Sequence, residues 1–174
     1  MSYRKNSNVL ETNLNKNGVM RFNLNSPENL NALSENMMDL IQNSLDKASL
    51  DKNVRVIIIA GEGSTFSSGH DLKELKDARK NTDKGKKYFL KIMKKCSNMM
   101  QTIIKCPKPI IAEVAGTATA AGCQLVASCD LAYASNLAKF ATPGVNIGLF
   151  CSTPMVAISR NLTNKHSMEM LLTG

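Results

Sequence analysis

The strongest constraint on the fold is a strand–helix–strand succession in the middle of the chain. Val54-Arg-Val-Ile-Ile-Ile-Ala60 is a mostly β-branched run broken only by Arg55, the pattern of a strand buried on both faces. Phe89, Ile92, Met93, Cys96, Met99, Met100, Ile103 and Ile104 then recur at helical spacing with lysines between them. That periodicity predicts a long amphipathic helix whose Met-rich stripe packs into the core. Cys106-Pro-Lys-Pro109 ends it, because a proline restricts the residue before it, and Pro109-Ile-Ile-Ala-Glu-Val114 reads as the next buried strand. Two such strands joined by a helix make a right-handed βαβ unit, so the class is α/β with parallel strands.

The flanks extend this frame. Val9–Leu14 and Val19–Leu24 read as two strands turned at Asn17-Gly18. Pro27 interrupts the pattern, and Ser34 is placed to cap a helix carrying Met37, Met38, Ile41, Leu45 and Ala48 on one face. Residues 61–69 read as loop and 71–77 as a short helix. Small residues from Thr117 to Gly122 lead into a helix from about Cys123, and Asp130–Ala134 reads as a further strand. The stretch from Thr153 onward reads as helix in two pieces. A chain of 174 residues holds one domain.

Composition narrows the function classes. No apolar run approaches the ~20 residues that cross a bilayer, so no membrane partner is expected. Residues 1–8 lack the apolar or Arg-rich pattern of a targeting segment, which gives cytoplasmic as the expected location. Five cysteines, none in a Cys-x-x-Cys pair, and two distant histidines indicate neither a disulfide framework nor a metal site. The net charge of +8 suits an anionic partner such as coenzyme A, although lysines that solvate helix faces account for much of the total. Lysines spread along the chain and 5% aromatics give nucleic-acid binding little support.

Two glycine-containing corners carry the chemistry. In Phe66-Ser-Ser-Gly-His-Asp-Leu-Lys-Glu-Leu75 a loop enters a helix, and in Ala120-Ala-Gly-Cys-Gln-Leu125 small residues precede one. Amides at helix starts lack intrahelical partners and carry partial positive charge. Two such corners facing one another would offer two N–H groups to one oxygen, the arrangement that stabilises a thioester oxyanion or enolate. Tight helix–strand packing alone would also explain either corner.

The residues of these corners resemble the crotonase (enoyl-CoA hydratase/isomerase) family. Pro107-Lys-Pro-Ile-Ile-Ala-Glu-Val-Ala-Gly116, Ala121-Gly-Cys-Gln-Leu-Val-Ala-Ser-Cys-Asp130, Leu30-Asn-Ala-Leu33 and Phe140-Ala-Thr-Pro143 with Gly148 are similar to further family elements in the same order. The resemblance implies a crotonase-like ββα spiral of parallel strands and packed helices, with residues 1–174 forming the N-terminal portion of a single domain that lacks the C-terminal helical part. It implies that the amides of His70 and Ala121 form an oxyanion hole. Asp71, Leu72 and Lys73 would line the coenzyme A side, and Gly69 and Gly122 would keep the corners tight. The implied ligand is an acyl-CoA substrate with no bound cofactor, and the implied assembly is a homo-oligomer, a trimer or hexamer.

The family's two glutamates are absent. Gln124 and Gly144 occupy their positions. Glutamine orients water but accepts no proton near neutral pH, and glycine supplies no group at all. Efficient hydration is therefore not expected. Glu113 sits in a strand predicted to be buried, Asp71 reads as a helix cap, and Cys123 and Cys151 lack a basic neighbour in sequence. None of the four is assigned the missing role.

Overall fold

The computed structural model describes residues 9–174, so the reading of residues 1–8 lies outside the described residues. The elements run β1 (Leu10–Leu14), β2 (Val19–Leu24), α1 (Glu35–Leu50), β3 (Val56–Gly61), β4 (Thr65–Ser67), α2 (Leu72–Ala78) and α3 (Lys86–Lys105). They continue with β5 (Ile110–Val114), β6 (Thr117–Thr119), α4 (Ala121–Ser128), β7 (Leu131–Ala134), β8 (Lys139–Ala141), α5 (Ser152–Asn161) and α6 (Asn164–Thr173). Single 3-10 turns stand at Pro27–Asn29 and Pro143–Ile147.

One sheet orders its strands β1-β2-β3-β5-β7, with only the β1–β2 pair antiparallel, and a smaller parallel sheet orders them β4-β6-β8. Each of β3, β5 and β7 passes directly into β4, β6 and β8, and helices return the chain to the large sheet. That repeat is the ββα spiral. The short strands β4 and β6 fall in stretches read from sequence as loop and small-residue segment, and β8 in a stretch to which no element was assigned. Three residues are too few for alternation to register, and their hydrogen bonds go to strands about fifty and twenty residues away.

The α1 face follows the sequence pattern in full: Met37, Met38, Ile41, Leu45 and Ala48 are all buried, and the Ser34 hydroxyl accepts from Met37 N at 3.1 Å. Two readings need correction. β3 is buried chiefly on one face, through Ile57 and Ile59, while Val56 and Ile58 are half-buried. The second face is open enough to carry an ion pair between Arg21 and the exposed Glu113 at 2.6 Å. The α3 stripe also divides: Ile92, Cys96, Met99, Met100 and Ile103 are buried, but Met93 is 37% and Ile104 59% exposed, and both line a cavity.

The cations are not evenly spread, as expected above, but concentrated in one stretch of the chain. Nearly half of the 22 Lys and Arg residues fall between Leu72 and Lys95, on α2, the loop after it and the first half of α3. Glu35 and Asp39 of α1 neutralise part of this face by pairing with Lys91 and Lys95. Among the described residues no helix is long and apolar enough to cross a membrane.

Candidate active site

Sequence places the first corner where β4 gives way to α2. Gly69 has φ +88°, the left-handed region open to glycine, and its N–H donates to Ser67 Oγ at 3.3 Å. Asp71 caps α2, its Oδ1 accepting from Lys73 N at 2.8 Å and Glu74 N at 3.3 Å. Its carboxylate is thus a helix cap and not a free base. Replacing Asp71 with Ala is expected to lower stability by about 0.5–2 kcal/mol, read from chemical denaturation.

Asn31, which the sequence reading passed over as an individual residue, holds this corner from the side. It is fully buried at φ +48°; its Nδ2 donates to the carbonyls of Glu62 (2.8 Å) and Thr65 (2.7 Å), and its Oδ1 accepts from Ser26 N (2.8 Å). The turn it anchors presents Leu33 N to Gly69 O at 2.7 Å and Leu30 O to Ser68 N at 3.0 Å. An asparagine before a helix cap is the signal, since Asn tolerates the left-handed region and bonds locally.

The second corner lies where β6 enters α4, two residues earlier than expected. Ala120 takes φ 50° and ψ −121°, a sparsely populated conformation for a residue with a Cβ, and its N–H donates to Ala141 O at 3.0 Å. The corners touch through backbone. A side-chain carbon built at Gly69 falls 3.0 Å from Ala121 N, one built at Gly122 falls against the Ser67 carbonyl, and Thr119 Oγ1 donates to Ser68 O at 3.0 Å. Neither His70 N–H nor Ala121 N–H donates to a protein acceptor among the described residues. The geometry therefore brings two unpaired amides onto adjoining turns.

Beside them lies a cavity of about 690 Å³ between α3, α4 and α5, lined by His70 and Gln124 among others. Both ring nitrogens of His70 and Oε1 of Gln124 are buried without a hydrogen-bond partner. Burial pushes the His70 imidazole below its ordinary 6.5. The ring is therefore neutral at neutral pH. Cys96 in the same wall is likewise neutral, its thiol pushed up to about 11 by burial.

As pH falls through about 6.5 the unfolded chain protonates this ring while the folded chain resists. Stability from this group is complete above that pH and declines below it. Thermal melts should show this decline, and His70→Gln should flatten it.

Leu72 and Lys73 are exposed on α2, with Lys73 Nζ donating to Asn29 Oδ1 at 3.0 Å. Cys123 is buried and its thiol is pushed up to about 11, mainly by burial, which makes it a poor nucleophile. Gly144 has its side-chain space closed: a carbon there would stand 2.8 Å from both Cys151 Sγ and Leu149 O.

The family profile described as Enoyl-CoA hydratase/isomerase matches residues 14–174, and the chain belongs to that family. Among individual relatives, it is 51% identical over 157 residues to the Xenopus laevis enoyl-CoA hydratase domain-containing protein 3, mitochondrial, covering 90% of this chain and 52% of that protein. The Homo sapiens protein of the same name is 48% identical over 157 residues, with 90% and 50% covered. The crystal structure of human enoyl-CoA hydratase domain-containing protein 3 superposes with TM-score 0.87 at 45% identity, over 95% of this chain and 63% of that one. A Mycobacterium smegmatis enoyl-CoA hydratase gives 0.88 at 44%, over the same shares. The chain spans about half the length of the curated relatives it matches. The curated relatives correct the expected cytoplasmic location, since the Xenopus laevis, Mus musculus and Homo sapiens proteins of this name are all called mitochondrial.

Proposed function

We propose that this chain binds an acyl-CoA thioester and holds its carbonyl oxygen between the amides of His70 and Ala121, stabilising the charge that forms there as an oxyanion or enolate. The observation that carries the reading is the pair of unpaired amides on two corners whose backbones touch at Gly69 and Gly122. Donors fixed in this way need no reorganisation as charge develops. The concentration of cations beginning at Lys73 supports an anionic ligand such as coenzyme A. Exposed apolar side chains along β7 and β8, including Leu131, Tyr133 and Phe140, support a homo-oligomer.

The chemistry this supports is enolate- or oxyanion-dependent, of isomerase or thioester-cleaving type, and not efficient hydration. A second reading, an acyl-CoA-binding protein without turnover, draws on the blocked space at Gly144. Calorimetry with butyryl-CoA and its thioether analogue, which lacks the carbonyl oxygen, tests the central claim. The thioester should bind about tenfold tighter or better, the effect of about 1.4 kcal/mol in hydrogen bonding. Equal affinity would overturn the amide role, and turnover of an enoyl- or acyl-CoA in the same sample separates the two readings.

A further inference from the structure

The cavity beside the two corners differs in chemistry along its length. Its walls on α3 and α5 mix apolar side chains, among them Met93, Ile104 and Val156, with the polar Ser97, Gln101 and Thr153. His70 and Gln124 stand near the N-terminal end of α4. The C-terminal ends of the three helices converge at the other extreme. Asp130, just past α4, accepts from Ile110 N at 2.7 Å, tying the end of α4 to the strand that follows α3. Asn161, closing α5, donates to Ala127 O at 2.8 Å. From Met93 to Lys105 α3 rises about 18 Å, so the cavity has the length of an extended medium chain.

Two cations line that far end, Lys105 and Arg160. Among the described residues neither is paired with a carboxylate: Lys105 Nζ reaches only Gln101 Oε1 at 3.2 Å, and Arg160 makes no side-chain hydrogen bond. The one carboxylate lining that end, Asp130, accepts from Ile110 N and keeps its charge, so two cations stand there against one anion. A groove that begins at His70, runs past apolar side chains and ends at two exposed cations without a carboxylate partner fits a ligand with the same profile.

We propose that the preferred acyl group is a medium chain ending in a carboxylate, an ω-carboxyacyl thioester, with its terminal charge received by Arg160 and Lys105. This deepens the proposed function and rests on it. Each cation also complements the negative end of its own helix, so the test must read selectivity and not stability alone.

Affinities of decanoyl-CoA and sebacyl-CoA, which differ only in the terminal carboxylate, are to be compared by calorimetry at low salt. Sebacyl-CoA should bind about fivefold to tenfold tighter, the range for two partly solvated charge pairs, and the advantage should shrink as salt screens it. Arg160→Met should remove most of the advantage while leaving decanoyl-CoA affinity within about twofold, with Lys105→Met giving a smaller loss. Equal binding of the two thioesters by the wild-type chain would overturn the inference and leave the acyl-CoA reading intact. Failure of both to bind would remove the two together.

Discussion

A single methyl group added at Gly122 is expected to unseat α4 from β4. Its carbon would stand 2.8 Å from the carbonyl carbon and the Cβ of Ser67, and closer still to the carbonyl oxygen. Ser67 is fully buried in a strand paired with β6, so it has no direction in which to yield. Overpacking of this kind costs about 1–3 kcal/mol and occasionally more, and each kcal/mol lowers the melting temperature by roughly 2–4 °C in a chain of this size. Gly148→Ala is the control. Gly148 also has positive φ, +75°, but nothing lies within 4 Å of its missing side chain. Only the backbone penalty of about 1 kcal/mol applies there.

The same substitution has a functional reading. The methyl at Gly122 pushes on Ser67, two residues before Gly69, and so separates the two corners whose amides are proposed to share one oxygen. Thioester affinity should then fall further than the stability loss alone explains, at a temperature where the variant remains folded. A Gly122→Ala protein with unchanged melting and unchanged thioester binding would mean that the corners are not coupled through this contact.

The fold was legible wherever one element carried its own periodicity. The α1 face and the long α3 helix were written in apolar spacing, and Ser34 and Asp71 marked helix starts by the chemistry of their side chains. What spacing did not carry was partnership. β4, β6 and β8 exist because strands distant in sequence satisfy their backbone groups, and no local pattern announces that. The exposure of two positions in the α3 stripe was hidden for a related reason: Met93 and Ile104 are apolar at helical spacing, yet they face a cavity. Glycine-containing stretches before helices marked the two corners, and the resemblance implied the vacant glutamate positions. It did not foresee that Cys151 and the Leu149 carbonyl would close the space beside Gly144, because that depends on how the 3-10 turn after Pro143 folds back.

That closure decides what a restoration experiment should give. The family resemblance invites replacing Gln124 and Gly144 with glutamate to recover hydration. Gln124 is 8% exposed with an unpartnered oxygen, so a carboxylate there is desolvated without a cation beside it. Its pKa rises, which suits proton transfer, and the ionised form costs about 1–3 kcal/mol of stability. A glutamate at Gly144 must displace Cys151 Sγ and a backbone carbonyl, in a turn closed by Leu149 N donating to Gly144 O at 2.8 Å. The Gln124→Glu, Gly144→Glu pair is therefore expected to be less stable than either single variant and to hydrate crotonyl-CoA no faster than Gln124→Glu alone. Adding Cys151→Ala removes the sulfur and opens one side of that space. The triple variant should then exceed the double by about tenfold or more in hydration rate, part of the 10²–10⁴ that a placed acid–base group contributes. Loss of the enoyl absorbance gives the rate. A double variant that hydrates as fast as the triple would show that the thiol is no obstacle, and that the missing carboxylates alone explain the weak hydration expected here.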